Sequence, residues 1–304
     1  MIINLISRAI LMSTPLLIGA TAEVFAERAG VMIIAIEGIF LIGAWGGFVG
    51  VYTTGSYFMG FLLAGGLGVL IAVLYGVLTV KLKQHQIVTG TAINIFIAGM
   101  VTFFHRVLFG VPLLPLTIEP IRTIPIPILS KLPVIGPILF NQSLLTYVAY
   151  IVAPLGFYIL FKTSVGLVVR STGENPESVD VAGIDVERVR MTVILIAGFM
   201  GGIAGSYYSI VYLGMYTSTI IGGRGWIAFA ICFLGNWNPL GAMVGALIFG
   251  VAEALAIYMQ SSGGGILPNE LFIAMPYILT IILTISRKRF NVPTKLGVPY
   301  IKEH

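Results

Sequence analysis

Long apolar stretches separated by short polar breaks set the pattern of this chain. Runs of about 20 residues, the length a helix needs to cross a bilayer core, lie near residues 5 to 25, 31 to 52, 57 to 80, 87 to 109, 143 to 161, 191 to 213, 239 to 258 and 271 to 286. They predict an all-α, polytopic helical membrane protein of about 8–9 spans, one short or broken, in a single transmembrane domain over residues 1–304. The short piece runs from 225 to 235, roughly 16 Å as a helix at 1.5 Å per residue, and cannot cross alone. It reads as a half-helix or re-entrant limb. Non-helical backbone at membrane depth is tolerated only where protein buries it or it lines a cavity. Gly222-Gly223-Arg224-Gly225 and Asn236-Trp237-Asn238-Pro239 are therefore expected to face a pathway, the alternative being two turns around one short, tilted span.

Composition agrees with the pattern. The 304 residues are 58% hydrophobic and 10% charged, with a mean hydropathy of +1.01, whereas a soluble domain carries about 25% charge. A water-soluble globule is excluded. No hydrophilic block is long enough to fold by itself, so any ATPase or solute-binding activity must come from another chain. The net charge is +5, but the basic residues are not pooled with aromatics, and no nucleic-acid partner is expected. Cys232 is the single cysteine and cannot form an intrachain disulfide. His85, His105 and His304 share no ligand spacing, so neither a metal site nor a catalytic set is predicted. Ala20-Thr21-Ala22 resembles a signal-peptidase site, but Glu23, Glu27 and Arg28 lead straight into another apolar run, and an uncleaved first span is expected.

Basic residues mark the faces. Lys81 and Lys83, then Lys162, Arg170, Arg188 and Arg190, then Arg287, Lys288, Arg289, Lys295 and Lys302 gather in three segments that read as cytosolic, with the C-terminus inside. The connection over 111–142 carries only Arg122 and Lys131 and holds seven of the 15 prolines. Because proline fixes φ and removes a donor, this reads as an external Pro-rich cap on the outer mouth. Small residues at four-residue spacing, Gly198 to Gly205 and Gly241 to Gly245, suit close helix contacts in lipid.

Polar groups inside the spans are costly and mark pathways or partners. Glu37, Asn94, Glu253 and Arg224 are the candidates for a substrate pathway. Asn94 can both donate and accept, which suits a ribose or base edge. For Glu37 and Glu253, helix-to-helix hydrogen bonding is equally consistent, and Arg224 could meet a lipid headgroup. Glu27 and Arg28, beside a glycine, read as a cytosolic turn between spans.

The cytosolic segment 164–190 is the most informative. Asn175 can cap a helix, Pro176 suits its first position and Glu177 favours the positive end of its dipole. A short helix over 176–182 should follow, stopped by Gly183, with Val179 and Ala182 on one face. Such a helix serves as a docking element or a plain connection.

The run Gly173-Glu174-Asn175-Pro176-Glu177 with Ala182-Gly183-Ile184 resembles the coupling segment of permease subunits of ABC importers in the ribose, nucleoside and branched-chain amino-acid group. Glu27-Arg28-Ala29-Gly30-Val31 with Ile36-Glu37-Gly38, and Gly222 to Ala228 continuing to Asn238-Pro239-Leu240-Gly241-Ala242, resemble the same family over about residues 15 to 260. The first pair is most similar to the nucleoside branch, although Met32-Ile33-Ile34 stands where the family pattern reads small-Asn-Ile. The resemblance implies a permease, not an enzyme, working in the cell membrane with a cytosolic ABC ATPase, a second permease subunit, related or identical, and an external substrate-binding lipoprotein or protein. It assigns ATPase coupling to Gly173, Glu174, Asn175, Pro176, Ala182 and Gly183. No cofactor is expected in this chain, ATP being bound by the partner ATPase, and no G-x-x-x-x-G-K-[ST] phosphate loop is present. The related alternatives are a sugar or branched-chain amino-acid permease. A self-contained carrier using Glu37 or Glu253 as an ion site is the reading from another class.

Overall fold

The computed structural model describes residues 2–112, 114–261 and 290–302, together with 274, 278, 280–282 and 285. In chain order the elements are α1 (Ile2–Arg28), α2 (Ile36–Thr54), α3 (Tyr57–Gly76), α4 (Gln86–Phe109), β1 (Ile124–Pro125), α5 (Ile135–Leu139), β2 (Asn141–Gln142), α6 (Leu144–Lys162), α7 (Ser164–Glu174), α8 (Pro176–Val181), α9 (Val186–Tyr207), α10 (Arg224–Leu234) and α11 (Pro239–Ser261). Wider π turns extend α3 through Val77–Lys81 and α9 through Tyr208–Leu213. With these, seven helices among the described residues are long and apolar enough to cross a membrane, at bounds close to the predicted runs. Of the predicted span 271–286, only 274, 278, 280–282 and 285 are described, each of them helical. The short apolar piece is one helix of 11 residues, α10.

Burial sorts the spans into a centre and a periphery. Within its most apolar stretch α1 is 89% buried, against 28% for α4 and 33% for α6. The first is therefore the axis around which the others pack, and the last two are peripheral. The contact of α2 and α3 with α9 has no room for side chains. A Cβ on Gly43 would lie 2.2 Å from the Gly202 carbonyl oxygen, and one on Gly68 2.2 Å from that of Gly198. Without a hydrophobic force between helices in lipid, such backbone approach supplies the dispersion contacts that hold them.

Hydrogen bonds define two ends. At one, the Gln142 side-chain amide donates to Ser7 Oγ (3.1 Å) and Tyr57 OH to the Glu119 carbonyl (2.8 Å), so the start of α1 and the α2–α3 turn lie beside the 111–142 segment. That segment pairs β1 antiparallel with β2 and is bonded to the 210–214 turn through Ile118 N to Gly214 O and Ile121 N to Ile210 O. At the other end lie Arg28, α7, α8 and residues 290–302, joined by contacts described below. Lys83 pairs there with Glu187.

The segment after α6 departs from its expected form. The sequence reading places one short helix in it, over 176–182; the structure has two. Thr163 caps α7 by accepting from Gly166 N (3.2 Å), and Asn175 then caps α8 by accepting from Ser178 N (3.1 Å). Pro176 takes the first position of α8, and Gly183, at φ +83°, makes the left-handed stop.

Candidate functional site

Two breaks in the helical pattern meet inside the bundle. The first is the seven-residue stretch 29–35 between α1 and α2, which is buried except at half-buried Met32. The N–H groups of Ala29, Gly30 and Val31 bond back into the last turn of α1, but other backbone groups of the stretch have no helical partner and need one from elsewhere. Side chains from three helices supply it. Gln86 Oε1 accepts from Met32 N (2.9 Å), Asn94 Nδ2 donates to Ile34 O (2.8 Å) while its Oδ1 accepts from Gly38 N (2.8 Å), and Glu23 Oε2 accepts from Ile33 N (3.4 Å). Tyr75 OH donates to the Met32 carbonyl. Ile33, in the position where the family pattern has Asn, is fully buried.

The second break runs from Gly214 to Gly223, both at positive φ, and delivers the chain to α10. Glu37, in the first turn of α2, receives it: Oε1 accepts from Gly223 N and Oε2 from Gly225 N, each at 2.8 Å. A carboxylate thus satisfies the free N–H groups of a helix start and complements its positive end. A Cβ on Gly225 would lie 2.6 Å from Glu37 Cα, so the approach requires glycine. Arg224, between those two glycines, donates from Nε (2.9 Å) and Nη2 (2.5 Å) to Glu253 Oε1 on α11, and from Nη1 to the Ile220 and Ile221 carbonyls. Its guanidinium also lies 5.2 Å from the centre of the Tyr208 ring.

The far end of α10 is fastened to α1. Trp237, fully buried, donates its indole N–H to Glu27 Oε2 (2.5 Å), and Arg28 Nε donates to the Trp237 carbonyl (2.9 Å). Asn236 and Trp237 hold positive φ, a rare state for non-glycine residues that persists when surroundings over-determine it. The reading of Glu27 and Arg28 as a turn is therefore corrected. Both belong to α1, and Glu27 is wholly buried because Trp237 closes over it.

The structure brings the four candidate pathway residues into one region: Glu37, Arg224 and Glu253 in one hydrogen-bonded run, and Asn94 on the residue after Glu37. Each meets a protein partner. Arg224 turns to Glu253. Glu23, Gln86 and Tyr75 complete the set and were not among the sequence's pathway candidates, while Trp237, in the 236–239 turn expected to face a pathway, is fully buried. A groove of about 670 Å³ lies elsewhere, between α6 and α9 with α1 as its floor, and its lining is almost wholly apolar, from Ile18 and Phe25 to Val152, Ile196 and Phe199. None of the four lines it. Among the described residues no group of three or more His, Cys, Asp or Glu is placed to hold a metal ion.

The α7–α8 pair brings the predicted coupling residues together, with Glu174, Asn175, Ala182 and Gly183 exposed and Gly173 and Pro176 buried. Glu174 accepts from Thr294 N (3.2 Å) and Oγ1 (2.7 Å), and a Cβ on Gly173 would lie 2.2 Å from the Arg28 carbonyl. Val179 is buried against Val186 and Tyr300, while Val181 is 90% exposed. A hydrogen bond from its own amide, with Lys295 nearby, holds the Glu177 carboxyl below its ordinary range. The Lys302 ammonium, with the Tyr300 hydroxyl, does the same for Asp180.

Comparison with known proteins fits this architecture. Residues 5–284 match the family described as branched-chain amino acid transport system, permease component. The nucleoside ABC transporter permease NupC of Lactococcus lactis subsp. cremoris is 36% identical over 98% of this chain and 96% of its own length. The guanosine ABC transporter permease NupQ of Bacillus subtilis is 34% identical over 95% and 94%, and the putative glucose ABC transporter permease TsgC13 of Haloferax volcanii is 30% identical over 99% and 98%. No solved structure matches. The chain belongs to the permease-component family of branched-chain amino acid transport systems, as a multi-pass membrane subunit of an ABC transporter.

Proposed function

We propose that this permease imports nucleosides, driven by a separate cytosolic ATPase that engages α7–α8. The observation that carries the solute class is the near-full-length similarity to two permeases named for nucleoside and guanosine transport. The engaging surface is supported by the capped helix α8, which leaves Val181 exposed at the end of the molecule richest in Lys and Arg. On this reading that end is cytosolic, the 111–142 cap is external, and an external binding protein and a second permease subunit complete the complex. ATPase closure moves α8, and the two breaks around Glu37 are where the bundle can change its packing. A sugar as solute is the second reading, favoured by the 30% identity to the glucose permease.

The test is uptake by vesicles containing the permease with its ATPase and binding protein. Labelled guanosine should accumulate only with ATP and be displaced by unlabelled nucleosides but not by glucose. Displacement by glucose would move the assignment to sugars. Accumulation without the ATPase would end the importer reading.

A further inference from the structure

The C-terminal segment 290–302 does not trail away from the bundle. It crosses four elements in sequence. Asn291 N donates to Asn236 Oδ1 in the turn after α10 (2.8 Å), and Thr294 is held by Glu174 at the end of α7. Lys295 N then donates to Gly173 O (2.8 Å) and Gly297 N to Gly30 O (3.0 Å), which ties the segment to the first break. Finally Tyr300 OH and Lys302 Nζ both donate to Asp180 on α8, each at 3.0 Å.

One buried charge sits beneath this crossing. Arg190, 2% exposed at the start of α9, donates from Nε to Ala29 O (3.1 Å) and from Nη1 to Val298 O (2.9 Å). Among the described residues it forms no ion pair; the two carbonyls compensate part of its burial, and Nη2 is buried without a hydrogen-bond partner. A desolvated cation is costly unless its donors are satisfied, and here the acceptors come from the break on one side and the tail on the other. The packing is also tight: a Cβ on Gly30 would lie 2.8 Å from Arg190 Nη2, and one on Gly297 2.6 Å from Met32 Cε.

We propose that residues 291–302 are a positioning strap that carries displacement of α8 to the 29–35 break, with Arg190 as its buried anchor. Through that break the displacement reaches Glu37 and the start of α10. This rests on the reading that α7–α8 meets the ATPase. It adds that α8 by itself is insufficient: a helix of 6 residues buries little of its own and takes its position from the strap.

The experiment uses the complete transporter in vesicles, with labelled guanosine as the probe and the ratio of guanosine-stimulated to basal ATP hydrolysis as the second readout. The pair Tyr300→Phe with Lys302→Glu removes both donors to Asp180 at the exposed end of the tail and leaves the spans untouched. Uptake and the stimulated ratio should fall together by about tenfold, equivalent to about 1.4 kcal/mol, with assembly unchanged. Deletion of 291–304 should abolish coupling; if that variant does not assemble, the double substitution decides. Wild-type coupling in the double variant would overturn the strap. Loss of coupling in Gly183→Val with none in the tail variants would overturn it while leaving the importer reading intact. ATPase-independent accumulation would instead remove the importer reading itself.

Discussion

Replacing Asn94 by leucine tests whether side chains substitute for water along the first break. The asparagine makes two 2.8 Å hydrogen bonds to backbone, accepting from Gly38 N and donating to Ile34 O. Leucine has similar size and neither function, so two backbone groups lose their partners at once. A buried group left unsatisfied costs about 1–3 kcal/mol, which gives about 2–6 kcal/mol for the pair, a large part of a total stability of order 5–15 kcal/mol. Asn94→Asp is a second test, because its carboxylate still accepts from Gly38 N but sets an oxygen against Ile34 O where the donor stood. Thermal unfolding of the detergent-solubilised permease, read beside guanosine uptake by the assembled complex, separates two roles. Capping predicts a lowered midpoint in both variants, with uptake falling in proportion to folded protein. A wild-type midpoint for Asn94→Leu would refute the capping account, and if uptake were then lost the residue would be lining the pathway.

Other substitutions follow from the same geometry. Arg224→Met should cost about 3–5 kcal/mol because it leaves Glu253 buried without its partner, and adding Glu253→Gln should recover most of that in the same unfolding measurement. Cysteines at Ser171 and Lys295 should react with impermeant reagents only from the cytosol and one at Lys131 only from outside; labelling of position 171 in intact cells would invert the orientation. For the tail, the folded pKa of Asp180 is depressed by Lys302, so its contribution is present above the unfolded value and lost as pH falls through the folded one. Protease protection of 291–302 should therefore hold through neutral and mildly acidic pH and fail only below about pH 3.9, the ordinary aspartate value; loss near neutrality would show that another group governs it.

What the sequence disclosed depended on whether a partner leaves a local signature. The length of α10 was legible because too few apolar residues separate Gly225 from Gly235, and the α8 boundaries because Asn175, Pro176 and Gly183 each answer a backbone requirement within a few residues. Helix α7 was not legible as a separate element. Its Val165, Leu167 and Val168 prolong the apolar run of α6, and only Thr163 and Gly166 mark the bend between them. Glu27 was misread because the neighbouring Gly30 suggests a turn, whereas its environment is set by Trp237, 210 residues away. The same holds for Gln86 and Tyr75, whose partners are backbone atoms of the break and carry no side-chain pattern. The tail looked like an ordinary basic terminus because its contacts with α7 and α8 span 120 residues or more.

The polar groups within the spans are largely committed to holding the two breaks in place, and this bears on how such a subunit can handle a polar solute. Glu37 is occupied by two amide hydrogens and Glu253 by a guanidinium. A carrier that uses one of these carboxylates as its ion site would have to dismantle the start of α10 in every cycle. A permease driven from outside has no such need, since a path that conducts must bind weakly enough to release. On this view selectivity belongs upstream of the permease, and the intramembrane charges serve the mechanics: they let unwound backbone exist at membrane depth, where a change in packing driven from α8 can reach it.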